Sequence, residues 1–146
     1  LAGDWHDALR ALPADHFLAD PDTALAAVIL FDQVPRNIYR NHADAFASDD
    51  LARAIARGIV ARDWDRSLPE IRRPFTYLPF EHSEDIADQR ESLRLMSQLA
   101  DPMIGTYARK HFDIIDRFGR VPHRNLALGR ASRPDEAAAI EEGKDW

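Results

Sequence analysis

Residues 24 to 31 read Ala-Leu-Ala-Ala-Val-Ile-Leu-Phe and present no polar side chain in any direction. A segment apolar on every side must be enclosed by the rest of its chain, as a central helix or as a fully buried strand. Its alanine content favours the helix, and no other segment offers itself as a partner strand. The rest of the chain is then expected to supply amphipathic helices that wrap this one. Trp5, Ala8, Leu9 and Leu12 follow i, i+3, i+4, i+7 spacing behind Asp4 and stop at Pro13, and Asp22 after Pro21 caps the central run. Ser48, Asp49 and Asp50 open a helix with Leu51, Ile55 and Ile59 on one face. Ser67-Leu-Pro-Glu70 has the S-x-x-E form of a capping box and opens a segment running to Leu78, with Pro74 as a kink. Ser83, followed by Glu84 and Asp85, starts a helix through Ile86, Leu93, Met96 and Leu99. Asp101-Pro102 starts another, with Ile104, Ala108, His111, Ile115 and Phe118 on its stripe and Gly119 at its end. A short helix follows Pro122 and ends by Gly129, and Ser132 to Asp135 caps a last one.

With 146 residues, 45% of them hydrophobic, short connections and no internal linker, the chain reads as one all-α domain over residues 1–146, a compact bundle or a stack of helical hairpins. A net charge of −6 argues against a nucleic-acid-binding or membrane-surface protein, since both need a broad positive field. No apolar run approaches the roughly 20 residues of a membrane helix and no leader pattern is present, so a cytoplasmic protein is expected. The absence of cysteine excludes disulfides, thiolate metal sites and a cysteine nucleophile. The start at Leu1 in place of Met suggests that an N-terminal portion has been removed or left out.

The net charge conceals a local pattern. Of 19 basic residues, 17 are arginine, the side chain suited to bidentate recognition of carboxylate or phosphate. Five arginines and no acid lie between Arg117 and Arg133, whereas residues 81 to 91 hold five acids against Arg90 alone. Polar and aromatic residues gather in three blocks, FDQVPRNIYR (31–40), YLPFEHSED (77–85) and RFGRVPHRN (117–125). The first and third share F-x-x-V-P followed by R-N, with His123 inserted in the third. Pro35 and Pro122 each suit the first turn of a helix, whose N–H groups together with the guanidinium groups would form anion sites.

The candidate ligand-binding residues are therefore Asp32, Arg36, Asn37, Arg40, Asp85, Arg120, Arg124 and Asn125. The competing reading has the same arginines pairing with Glu81, Glu84, Asp85 and Asp32 to hold the fold together. His82 and His123 are candidates for acid–base work among those charges, with Glu81 or Asp85 as the orienting carboxylate. His111, on an apolar stripe, reads as a core histidine bonded to a backbone carbonyl or to Asp116. The histidines with Glu81, Glu84 and Asp85 would suffice for a divalent metal, but no recognised ligand spacing occurs, so no metal site or other cofactor is assigned. No phosphate-binding loop, dinucleotide fingerprint or serine-hydrolase elbow is present.

These three blocks, with Gln89 after the second and Leu128 to Arg130 after the third, resemble the signature stretches of a bacterial family catalogued as domain of unknown function 924. The resemblance runs from about Thr23 to Ile140. It implies a tetratricopeptide-like array of antiparallel helical hairpins, and it implies further helices upstream, including a tryptophan-phenylalanine motif that is missing or divergent here. It transfers no reaction. Two functions follow from the residues: a module that binds a small anionic ligand or peptide group, and a cofactor-free or metal-assisted hydrolase or transferase acting on an anionic substrate through His82, His123 and Glu81.

Overall fold

The apolar run is helical and central, but its helix changes pitch. The computed structural model describes residues 2–142, and the side chains of residues 4–141. After α1 (Ala2–Arg10) and a 3₁₀ turn at Ala14–Phe17, α2 (Pro21–Val28) starts on an Asp20 cap, whose carboxylate accepts from the Thr23 N–H at 2.9 Å. Asp22, expected as the cap, lies inside the first turn, because Pro21 takes the first helical position. A π turn at Ile29–Gln33 follows, and α3 (Val34–Ile38) continues from it without a break. The Val34 N–H reaches back to the Ile29 carbonyl, so Pro35 lies within one helical run and does not open a fresh helix. The expected anion site at that corner therefore has no free first turn.

Around this axis, α4 (Asp49–Ala61) packs along α2, and a short helix, α5 (Trp64–Ser67), leads to α6 (Arg73–Glu81). The Ser67 hydroxyl donates to the Trp64 carbonyl and so closes α5, where a cap for the next helix was expected. Pro74 lies in the first turn of α6, and it is Pro79 that falls inside that helix. Next come α7 (Ile86–Met96) and α8 (Pro102–Phe118), each packed on its predecessor, then a 3₁₀ turn at Pro122–Arg124 and α9 (Pro134–Glu142). Asp85 caps α7 and Asp101 caps α8 through side-chain oxygens that accept from the Ala87 and Met103 N–H groups. At the far end of α8, Gly119 adopts φ +70, the left-handed conformation that turns the chain away at little steric cost.

The core joins Val28 and Phe31 to Ile55 and Ile59 of α4, Phe80 of α6 and Met96 of α7. Burial of each such side chain is worth about 1.5–3 kcal/mol, so the run anchors the fold, although it is not enclosed on every side as expected: Ala26 is exposed and Ile29 and Leu30 are half-buried. There is no strand among the described residues, and no helix among them is long and apolar enough to cross a membrane.

Candidate functional site

The π turn sets the orientation of Asp32. One extra residue in a turn redirects the side chains that follow it, and such turns occur frequently at functional sites. Here the Asp32 side chain is directed into the protein, with no residue exposure. Its Oδ1 accepts from His82 Nδ1 at 2.7 Å and lies 3.4 Å from Arg36 Nη1, while Gln33 Nε2 donates to Oδ2. Burial opposes ionisation of Asp32, but the neighbouring His82 and Arg36 outweigh it and hold the carboxyl below its usual range. An ionised carboxylate only accepts, so Nδ1 of His82 must carry its proton. Burial in turn lowers the His82 pKa and favours the neutral ring.

Arg36 extends the network outward. Its Nη1 and Nη2 donate to the two oxygens of Asp49 at 2.8 and 2.9 Å, and Nη1 also donates to the Asp32 carbonyl at 2.8 Å. The Arg36 guanidinium lies over the Phe46 ring at 5.5 Å, and that of Arg124 lies over the same ring at 4.7 Å. The arginines of the two similar V-P segments therefore meet on one aromatic side chain, although one segment is helical and the other a 3₁₀ turn. Among the described residues, no carboxylate lies within ion-pair distance of Arg124. Burial first, and then the Arg36 charge, lower its pKa to about 10.

Arg36, Arg40, Phe46, His82, His111 and Arg124 surround a cavity of about 510 Å³, with His123 and Gln89 also in its wall. That volume lies in the range of small-molecule sites. His111 Nδ1 contacts the Tyr107 carbonyl at 3.0 Å and Glu81 Oε1 at 3.3 Å. The expected backbone partner is present, yet the ring is part of the cavity wall and does not lie sealed in the core. Glu81 stands behind it, and burial with the nearby Asp32 charge pushes its carboxyl up to about 7.

The other candidates lie elsewhere. Arg120 donates through Nε and Nη2 to the two oxygens of Glu136 at 2.7 and 2.8 Å. Asn125 Nδ2 donates to the same carboxylate at 3.1 Å, and Arg133 contributes both its backbone N–H and Nε. Arg130 grips Glu84 bidentately, at 2.7 and 2.9 Å. Asp85 serves as a helix cap, and the exposed Asn37 donates to the Gln33 carbonyl. The structure thus brings Asp32, Arg36, Arg40, His82, His123 and Arg124 to one place, with Glu81 behind, and commits Arg120 and Asn125 to Glu136. Phe46 and His111 in the cavity wall, and Asp49 behind Arg36, are the positions of this candidate site that sequence reasoning missed. Among the described residues, no group of three or more His, Cys, Asp or Glu side chains is arranged to hold a metal ion.

The family model described as bacterial protein of unknown function (DUF924) matches residues 2–144, so the similarity inferred over residues 23 to 140 extends at both ends. Among solved structures, a protein of unknown function from Agrobacterium tumefaciens is 41% identical to this chain, with a TM-score of 0.89. The match covers 96% of this chain and 79% of that one. No curated protein matches.

Proposed function

Because this chain belongs to a bacterial family of unknown function, its role has to be argued from its own cavity, and we propose that the cavity binds a small anion, a carboxylate or phosphate, between Arg124 and Arg40. The observation that carries this reading is Arg124. A guanidinium largely removed from water is costly unless an anion accompanies it, and here the nearby carboxylates belong to other arginines. A bound anion would supply the missing charge, with Phe46 fixing the plane of the guanidinium from behind. Arg40, exposed at the rim with only a 3.5 Å contact to Asn37, is placed to receive the ligand from solvent.

The successive packing of α6, α7 and α8 supports the finer reading of the fold as tetratricopeptide-like hairpins, whose inner face suits ligand capture. Inorganic phosphate and a panel of small carboxylates, titrated calorimetrically against the protein, test the proposal. Arg124→Ala is expected to weaken binding roughly 10- to 100-fold, the loss of a charge-assisted contact, with Arg124→Lys intermediate. Unchanged affinity in Arg124→Ala would contradict it.

A further inference from the structure

The cavity joins two features that simple anion capture does not require: a histidine held by a buried carboxylate, and guanidinium groups beside that histidine. Asp32 occupies the Nδ1 edge of His82, which leaves the Nε2 edge as the side that the ring contributes to the cavity. Arg36 touches the same Asp32 oxygen that holds His82, and Arg124 shares Phe46 with Arg36. The cations and the imidazole therefore converge on one spot, and an anion seated on the guanidinium groups lies against His82. A carboxylate in that position has nothing to react with. A phosphoryl group does, since its phosphorus is the electrophile and its oxygens are what the guanidinium groups hold.

Resting on the anion-binding reading above, we propose that this cavity is a phosphoryl-transfer site for phosphomonoesters, with His82 Nε2 as the nucleophile. The Nε2 lone pair forms a bond to phosphorus as the bond from phosphorus to the ester oxygen breaks. The departing oxygen takes the proton carried by the phosphomonoester monoanion and leaves as the alcohol, since burial keeps His111, in the same cavity wall, neutral. Water then attacks phosphorus and the N–P bond breaks, releasing neutral His82 and inorganic phosphate, which keeps the water's protons. Arg124 and Arg40 stabilise the phosphoryl oxygens throughout. Asp32 is a positioning residue: it fixes the tautomer that makes Nε2 the nucleophilic edge, and its negative charge offsets the positive charge that the ring gains on phosphorylation. The neutral ring favoured by burial is the reactive form.

The experiment uses the full chain and p-nitrophenyl phosphate, whose leaving group departs without protonation. It follows nitrophenolate release, covalent phosphate on the protein by intact mass after rapid quenching in alkali, and the thermal shift induced by inorganic phosphate. Turnover with an alkali-stable, acid-labile phosphoryl adduct on His82 is expected. His82→Asn is expected to lose the adduct and at least about 1,000-fold in turnover while keeping its phosphate-induced thermal shift, which also reports that the variant folds. Asp32→Asn, with its shift also retained, is expected to form the adduct more slowly and to change the pH profile of turnover, an effect that a purely structural role would not produce. Phosphate binding with neither turnover nor adduct would overturn the phosphoryl-transfer proposal and leave anion binding standing. Turnover that survives in His82→Asn, or that proceeds without an adduct, would overturn the covalent step. Absence of any phosphate shift in the unsubstituted chain would remove both readings.

Discussion

Arg120 and Arg124 are four residues apart in one arginine-rich block, and nothing in their immediate sequence separates a structural arginine from a ligand-binding one. In the fold they differ completely. Arg120 meets Glu136, a fully buried carboxylate that also accepts from Arg133 and Asn125, so every partner in that cluster is satisfied from within. Arg124 faces a cavity with an aromatic ring behind it and no carboxylate of its own. What distinguishes the two is which distant carboxylate the fold delivers, and α9 brings Glu136 to Arg120 and not to Arg124. Arginine-to-acid clusters at Glu136, Glu84 and Asp49 hold the polar corners around the cavity together, and Arg124 and Arg40 line that cavity outside those clusters.

The sharpest way to separate the regions is to break the closed one. Glu136→Gln removes the buried charge shared by the guanidinium groups of the part-buried Arg120 and the exposed Arg133, which keep only backbone carbonyl partners at Ala131 and Phe118. It is expected to lower the melting temperature by roughly 10 °C, the largest effect among these substitutions, while the phosphate affinity of the folded protein stays within about twofold. Calorimetry and scanning fluorimetry on the same sample check both halves. Next in size is Arg124→Ala, with its roughly 10- to 100-fold loss of anion affinity. Its stability without ligand should be unchanged or higher, because a desolvated cation has been removed.

A third prediction concerns pH. The Glu81 carboxyl is raised to about 7 in the folded chain, above its ordinary value of 4.5, so the folded state binds more protons between those values. The stabilising contribution of protonated Glu81 is therefore full below about pH 4.5 and is lost as pH rises through about 7. Glu81→Gln is expected to flatten that decline and to be more stable than the unsubstituted chain at pH 8 by about 3 kcal/mol, as denaturant melts at several pH values would show. Smallest is Asp85→Ala, which removes the cap of α7 at a cost of about 1 kcal/mol and leaves phosphate affinity unaltered. A large affinity loss there would mean that the acidic helix start belongs to the site after all.

Much of the fold was legible because burial imposes periodicity. The all-round apolar run predicted the central helix, Leu51, Ile55 and Ile59 marked the face of α4, and Gly119 marked the end of α8. The π turn was not legible, since one extra residue per turn leaves no compositional trace, yet it is what aims Asp32 at His82. Side-chain chemistry marked Arg36, Arg124, His82 and His123 individually. It did not reveal the partners that decide their roles, because Asp49 looks like any first-turn acid and Phe46 like any core aromatic. The arginine-rich block and the acid-rich stretch before α7 meet through Arg130 and Glu84, a pairing that the net charge of the chain conceals.

The most direct test compares the thermal shift produced by inorganic phosphate, at constant ionic strength, in Arg124→Ala and Arg120→Ala, each measured against its own ligand-free melt. The shift is expected to shrink sharply in Arg124→Ala, in line with a roughly 10- to 100-fold weaker affinity, and to persist in Arg120→Ala despite the lower starting stability of that variant. An equal shift in both, matching that of the unsubstituted chain, would contradict the division between a closed arginine cluster and an open one.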